Sequence, residues 1–162
     1  MSTSYGKLLE KVYEINDIEK ATAVLSWDRE TNMPKAGITA RVQQMTTLNR
    51  LSHTLFTAEE MGELIEAAAV ELEDAPYDSN EASLIRLLRR MYDNARKLPP
   101  EFVARVSEVG GHAHGAWVQA RENDDFPSFQ PWLEQVVELG QEMAELYGYD
   151  DEMYDALLDK YE

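Results

Sequence analysis

The sequence predicts an all-α fold of about six or seven antiparallel amphipathic helices, and three observations support this. Apolar residues recur at three- and four-residue steps along nearly the whole chain, which is the period of a helix with one buried face. No segment has the two-residue alternation of a half-buried strand. No internal repeat or low-complexity tract divides the 162 residues. We therefore treat 1–162 as a single helical region.

The first two helices meet at a predicted corner. The first runs from about Tyr5 to Glu30 and stops near Asn32, because the residue before Pro34 is disfavoured in the helical conformation. After Gly37 the apolar period resumes and predicts a second helix over about 38–55. The chain therefore reverses direction between 31 and 37.

Capping signals and prolines mark the next two helices. The segment TAEE at 57–60 matches a capping box, in which Thr57 and Glu60 satisfy each other's backbone donors, and it predicts a third helix to about residue 72. Asp78 or Ser79 is predicted to cap a fourth helix. That helix ends before the Pro-Pro pair at 99–100.

The C-terminal third is predicted to contain two long helices and one short one. The fifth helix covers about 102–120 and contains Gly110 and Gly111, a pair that implies close packing, a kink or a break. Pro131 is expected in the first turn of the sixth helix, and Gly148 is expected to end it. A short acidic helix follows over 154–161.

The composition limits the class of partner. The chain carries 31 acidic and 15 basic residues, a formal charge of −16, whereas nucleic acids and anionic membranes require a basic surface. It has no cysteine, which rules out disulfides and thiolate metal sites. The first residues lack the apolar stretch of a signal peptide, and no segment is apolar over a membrane-spanning length. We expect a soluble, cytoplasmic protein without a nucleic acid or membrane partner.

The sequence contains no recognisable catalytic constellation. A helical zinc protease needs two histidines four residues apart and a glutamate between them, but the three histidines are His53, His112 and His114. The last two are two residues apart, so they point about 200° apart around a helix. No Glu-x-x-His pair, Gly-x-Ser-x-Gly elbow or phosphate-binding loop is present. No catalytic residue and no metal ligand is therefore predicted in this chain.

Three ordered blocks nevertheless carry a specific pattern. The first is LSWDRETNMPKAG at 25–37, followed by Arg41 and His53; the second is WVQAR at 117–121 with the residues that follow to 133; the third joins Gly148-Tyr149 to YDALLD at 154–159. Together they resemble the opening of the carboxypeptidase Taq family of metallocarboxypeptidases. The family's doubled glycine is Ala36-Gly37 here, which alters the corner slightly.

The resemblance implies an all-helical, homodimeric enzyme, dependent on zinc or cobalt, that removes C-terminal residues from peptides with broad specificity. Its helices would surround a deep groove, as in the neurolysin-like peptidases. The family's chemistry uses an HExxH helix, which this chain lacks. The expectation is therefore the N-terminal part of a longer enzyme, non-catalytic alone and without a cofactor of its own. The alternative is a self-standing helical module that binds a separate catalytic half.

The resemblance assigns motif residues to shaping the groove wall or holding its helices: Trp27, Asp28, Thr31, Met33, Pro34, Arg41, His53, Trp117 and Arg121. Core packing is the favoured role of both tryptophans. A structural role is favoured for Asp28, as the acceptor of a helix end or an arginine. Arg41 could bind a substrate carboxylate, although an internal pair with a glutamate is the default. His53 is expected to meet the exposed carbonyls of its own helix rather than a metal.

One basic cluster stands out in the acidic chain: Arg86, Arg89, Arg90, Arg96 and Lys97. The favoured interpretation is complementarity to an acidic helix of the same chain around Glu66, Glu71 and Glu73. The alternative is an electrostatic dock for a partner segment.

Overall fold

The computed structural model describes residues 3–158, which form seven α-helices and no strand. The helices are α1 (Ser4–Thr31), α2 (Ile38–Phe56), α3 (Glu59–Glu71), α4 (Asn80–Arg96), α5 (Pro100–Glu122), α6 (Phe126–Tyr147) and α7 (Asp155–Leu158), with one 3₁₀ turn at Lys35–Gly37. The predicted all-α fold is confirmed. The end of the predicted last helix, 159–161, lies outside the described residues.

Neighbouring helices are antiparallel, as the pairs of residues that join them show. Between α1 and α2, the Ser52 hydroxyl donates to Glu19 and Arg41 donates to the Leu25 carbonyl. The partner on α2 thus moves back along the chain as the residue on α1 moves forward. The same reversal relates α3 to α4, α2 to α5 and α5 to α6, for example through Glu66–Arg89 and Gly62–Tyr92 on α3 and α4.

The main buried cluster lies between α1, α3 and α4. Its members are Leu8, Met61, Ile65, Ala68, Ile85, Leu88 and Tyr92. The members on α3 and on α4 recur at helical spacing, so one apolar face of each of these helices meets the other, and Leu8 contributes the buried residue of α1. The Tyr92 hydroxyl donates to the Ala58 carbonyl over 3.2 Å, which satisfies the one polar atom that this ring brings into the cluster.

A glycine sets the distance between α2 and α5. A Cβ atom placed on Gly111 would lie 2.6 Å from Val42 Cγ2, so only glycine allows this approach. A Cβ atom placed on Gly110 would have no atom within 4 Å, so this glycine faces open space. Helix α5 continues unbroken from Pro100 to Glu122. Of the three outcomes that the glycine pair allowed, which were close packing, a kink or a break, the structure therefore shows close packing.

Several predicted helix ends are confirmed. The Ser79 side chain caps α4 by accepting from the Ala82 amide. Asn32 ends α1. Gly148 follows α6 with a φ of +80°, a conformation that glycine adopts without strain.

The predicted capping box at 57–60 is wrong. Helix α3 begins at Glu59 with Ala58 as its N-cap and no side-chain capping bond. The Thr57 hydroxyl instead donates to the His53 carbonyl over 2.8 Å, at the end of α2. Only two residues separate the two helices, so Thr57 lies in the C-terminal turn of the preceding helix.

The predicted start of the sixth helix at Pro131 is also wrong. Helix α6 begins at Phe126, five residues earlier, and Pro131 lies inside it. Asp125 is the N-cap; its side chain accepts from the Ser128 amide, and the Ser128 hydroxyl donates to its carbonyl. Pro127 occupies the first turn, where a missing N–H costs nothing.

Across residues 3–158, none of the helices combines the length and the apolar character that crossing a bilayer would require.

Candidate functional site at the α1–α2 corner

The corner between α1 and α2 is closed by short backbone contacts. The amides of Asn32 and Met33 both donate to the Asp28 carbonyl over 2.9 Å, and the Thr31 hydroxyl donates to the Trp27 carbonyl over 2.8 Å. Pro34 is extended and leads into the 3₁₀ turn. The two amide bonds to the Asp28 carbonyl close the last turn of α1.

An ion pair fastens α2 to this corner. Arg41 Nη2 lies 2.7 Å from Asp28 Oδ2, and Arg41 Nη1 donates to the Leu25 carbonyl over 2.8 Å. The Arg41 side chain is 15% exposed and that of Asp28 is 33% exposed, so solvent screens this pair less than an ordinary surface pair. The arginine contact expected of Asp28 is present. The partner expected for Arg41 was a glutamate, and this is corrected to Asp28.

Helix α5 reaches the same corner through a second polar group. Glu30 Oε2 lies 3.0 Å from His114 Nε2, and Glu30 Oε1 lies 2.8 Å from Arg29 Nη2. Partial burial alone would raise the pKa of Glu30, but the hydrogen bonds and charges of Arg29 and His114 outweigh it, so the pKa of Glu30 is lowered. A further ion pair joins the 3₁₀ turn to the end of α5, where Lys35 Nζ lies 3.0 Å from Glu122 Oε2.

The two tryptophans do not pack in the core, contrary to the prediction. Trp27 is 61% exposed and Trp117 is 42% exposed. Trp117 stands beside His114, with 5.9 Å between ring centres, and the guanidinium carbon of Arg121 lies 5.7 Å from the Trp117 ring centre. The described chain therefore covers each of these two side chains only in part.

His53 lies apart from the corner, and its predicted contact is wrong. Its Nε2 atom is 2.8 Å from the Leu98 carbonyl, in the link between α4 and α5, rather than near the end of its own helix. A carbonyl only accepts, so this nitrogen carries the proton. His53 thus ties α2 to a distant turn.

The favoured pairing of the basic cluster with the acidic helix is confirmed for one member, Arg89. Arg89 donates to both oxygens of Glu66, over 2.8 and 2.6 Å. The guanidinium of Arg86 lies 3.8 Å above the Tyr77 ring centre. Arg96 lies over the Tyr92 ring, and Lys97 donates to the Tyr147 carbonyl over 3.0 Å. Members of the cluster other than Arg89 thus contact other parts of the same chain.

Sequence reasoning missed the pair of Glu30 and His114. The two residues are 84 positions apart, and no local motif links them. Only the antiparallel packing of α5 beside the corner brings them together. Of the motif residues, the fold thus gathers Trp27, Asp28, Thr31 and Arg41 at the corner.

A catalytic metal does not fit the residues described. Within 3–158, no three His, Cys, Asp or Glu side chains stand close enough to hold a metal ion. His53 is bound to a carbonyl, His112 lies against the Trp132 ring, and His114 meets Glu30. The corner presents an exposed indole, Trp27, next in the chain to the ion-paired Asp28, which suits contact with a peptide or a neighbouring segment.

A family model, related sequences and solved structures all match this chain to carboxypeptidases. The family model "Carboxypeptidase Taq (M32) metallopeptidase" matches residues 7–162. Thermostable carboxypeptidase 1 of Pyrococcus furiosus is 42% identical over 156 residues, which are 96% of this chain and 31% of that protein. Thermostable carboxypeptidase 1 of Thermus thermophilus is 33% identical, over 98% of this chain and 33% of that protein.

A solved structure has the same helical fold over nearly the whole of this chain. The BsuCP crystal structure superposes with a TM-score of 0.90 at 27% identity, covering 97% of this chain and 31% of that one. The chain thus spans about a third of the length of the curated relatives it matches.

Proposed function

Because the chain belongs to the carboxypeptidase Taq (M32) family of metallopeptidases, we propose that it is the N-terminal helical part of a zinc- or cobalt-dependent metallocarboxypeptidase. The complete enzyme releases C-terminal amino acids from peptides with broad specificity. The observation that carries this proposal is the family match, which extends over residues 7–162.

In this proposal the chain contributes scaffold and groove wall, and the metal and its ligands come from another part of the enzyme. The supporting observation is the scatter of the three histidines over unrelated contacts. A metallopeptidase needs ligands that converge on one ion and a carboxylate beside them. We therefore propose that residues 1–162 do not hydrolyse peptides alone.

The corner is proposed to form part of the peptide groove. Trp27 exposes an aromatic surface beside the partly exposed Asp28–Arg41 pair, and an indole can bind a peptide through its face and its N–H group. Since Arg41 is already held by Asp28 and the Leu25 carbonyl, its proposed role is to fix the corner. Direct binding of a substrate carboxylate would require that pair to open.

The test is reconstitution. The purified chain is mixed with a separate polypeptide that supplies the HExxH region, taken from the rest of the gene or from a relative, and release of the C-terminal amino acid from a blocked peptide is measured with zinc or cobalt. We expect activity only in the mixture. The variant Trp27→Ala should lower it, while Tyr13→Ala, another exposed aromatic residue of α1, should not. No activity in the mixture, with both parts folded and associated, would overturn the proposal.

The second candidate is a self-standing helical module that docks a separately encoded catalytic half. The exposed apolar side chains of α6, including Phe126, Leu133 and Val137, favour it because they offer a surface for a partner. The reading frame after Glu162 distinguishes the two candidates: continuation to an HExxH helix favours the single enzyme.

Homodimer formation and a cytoplasmic location are part of the first proposal, and light scattering and cell fractionation test them.

A further inference from the structure

An apolar surface on α5 and α6 is left open by the described chain. Five large side chains there are between 37% and 57% exposed: Trp117, Phe126, Leu133, Val136 and Val137. Phe126 lines two adjoining hollows, one shared with Trp117 and the other shared with Leu133 and Val137. The side chains therefore form one continuous surface rather than scattered single residues, and such a surface marks a site of interaction. We call it the Trp117–Val137 surface.

Most of this surface is a stripe along α6. Phe126, Leu133 and Val137 are seven and four residues apart, so they lie on one line of the helix that extends about 16 Å. Ala144 lies on the same line, seven residues after Val137, and is fully buried. One face of α6 is thus buried near its C-terminal end and open over its N-terminal half. A stripe with this period fits the apolar face of another helix.

The rim of the surface is acidic. Asp124 and Asp125 border it at one end and Glu134 and Glu138 border it along one side, whereas Arg121 is the only basic residue of the described chain that lines either hollow. Neither Glu134 nor Glu138 has a salt bridge within residues 3–158. A helix edge of this sign favours a partner that carries lysine or arginine beside its apolar stripe.

A second copy of this chain does not match that rim. A two-fold interface brings the same surface of both copies together, so the acidic rim of one copy would face the acidic rim of the other. Like charges placed opposite each other disfavour an interface. The rest of the complete enzyme is the better source of a partner, because the chain spans about a third of the length of the curated relatives it matches.

We propose that the Trp117–Val137 surface packs against an amphipathic helix from the part of the enzyme that carries the metal ligands. The apolar stripe of that helix covers Leu133 and Val137, and lysine or arginine residues on its edge pair with Glu134 and Glu138. This inference rests on the proposed function, which requires a separate catalytic part. It adds which face of this chain joins the two parts and which charge the joining helix carries.

The test is protection of an introduced thiol, because the chain contains no cysteine of its own. Val137→Cys is made in the chain alone and in the complete enzyme, or in its two parts expressed together. The rate of modification by a maleimide is followed at this position by peptide mass spectrometry. We expect the reaction to be at least ten-fold slower in the complete enzyme. The matched control is Val70→Cys, at an exposed valine of α3, which should react equally fast in both.

Three results would overturn the proposal. The first is an equal rate at position 137 in the chain alone and in the complete enzyme. The second is slowing of the same size at positions 70 and 137, which would mean that no particular face is covered. The third is protection of position 137 in the chain alone that grows with protein concentration, since a second copy would then be the partner.

A charge variant tests the predicted chemistry of the helix. In the Val137→Cys background, Glu138→Lys reverses one charge on the rim and should lower the protection about two- to five-fold, the range of an exposed ion pair. Glu63→Lys reverses an exposed charge of α3 and should leave the protection unchanged. Equal protection in the two charge variants would contradict a helix with basic edges.

This test and that of the proposed function fail separately, because protection of the thiol requires neither metal nor catalysis. An enzyme that releases C-terminal amino acids while position 137 stays reactive would contradict only this inference. A protected enzyme that hydrolyses no peptide would contradict only the proposed function.

Discussion

Arg41 on α2 reaches across the corner to Asp28 on α1 and holds it at 2.7 Å, while a second nitrogen of the same guanidinium donates to the Leu25 carbonyl. One side chain thus binds both a carboxylate and the backbone of the preceding helix. Arg41 therefore helps to fix the corner on which the proposed function relies.

Replacing Arg41 with alanine should destabilise the chain by about 2 kcal/mol, because it leaves Asp28 partly buried without its charged partner. Urea unfolding measures this. Arg50→Ala is the matched control: Arg50 is exposed on the same helix, and its loss should stay within about 0.5 kcal/mol. If both variants unfold at the same urea concentration, the ion pair does not hold the corner.

The glycine pair in α5 provides a test of helix packing. Gly111→Ala should destabilise by about 1–3 kcal/mol, since the new Cβ would lie 2.6 Å from Val42 Cγ2. Gly110→Ala should be neutral or stabilising by up to about 1 kcal/mol, because its site is open and alanine favours the helix. Thermal unfolding of the two variants compares them. Equal effects would contradict the close contact of α2 with α5.

Glu30 should make stability depend on pH in the acidic range. Its pKa is lowered in the folded chain below the ordinary value of 4.5, so the unfolded chain takes up the proton first as the pH falls. The stabilisation is therefore complete above about pH 4.5 and is lost as the pH falls through the lower folded value. In Glu30→Gln, the decline in unfolding free energy between pH 6 and pH 3.5 should be shallower than in the parent.

The control for this prediction is Glu63→Gln, since Glu63 is an exposed residue of α3 with no ion pair among the described residues. Its pH profile should follow the parent's. A Glu30→Gln profile that also follows the parent's would show that the contacts with Arg29 and His114 do not favour the ionised carboxylate.

The exposure of Trp27 leads to a fourth prediction. Trp27→Ala should change the stability of this chain by less than about 0.5 kcal/mol, because its side chain is largely in solvent. A tryptophan packed in the core would cost about 3–5 kcal/mol. Chemical unfolding distinguishes the two, and a large loss would restore the original expectation of core packing.

Local signals predicted most of the fold. Apolar periodicity identified the helices, and Ser79, Pro34 and Gly148 marked ends that the structure confirms. The errors came where one signal had two uses. Thr57 can cap the helix after it or bond to the helix before it, and Pro131 was assigned the first turn that Pro127 occupies.

The candidate site was harder to predict, because its contacts join distant residues. The sequence predicts that Asp28 meets either a helix end or an arginine, but only the fold identifies the partner as Arg41. Nothing in the sequence links Glu30 to His114 across 84 positions. Periodicity gave Trp117 an apolar helix face, yet it does not report whether a partner covers that face, and in this chain Trp117 remains 42% exposed.

We propose above all that the metal ligands and the catalytic carboxylate of the complete enzyme lie outside residues 1–162. The most direct test incubates the purified chain alone with zinc or cobalt and a blocked peptide, and measures release of the C-terminal amino acid. We predict no release above the buffer blank and no metal retained in stoichiometric amount after gel filtration. Metal-dependent release that stays with the chain through successive purification steps would contradict the claim.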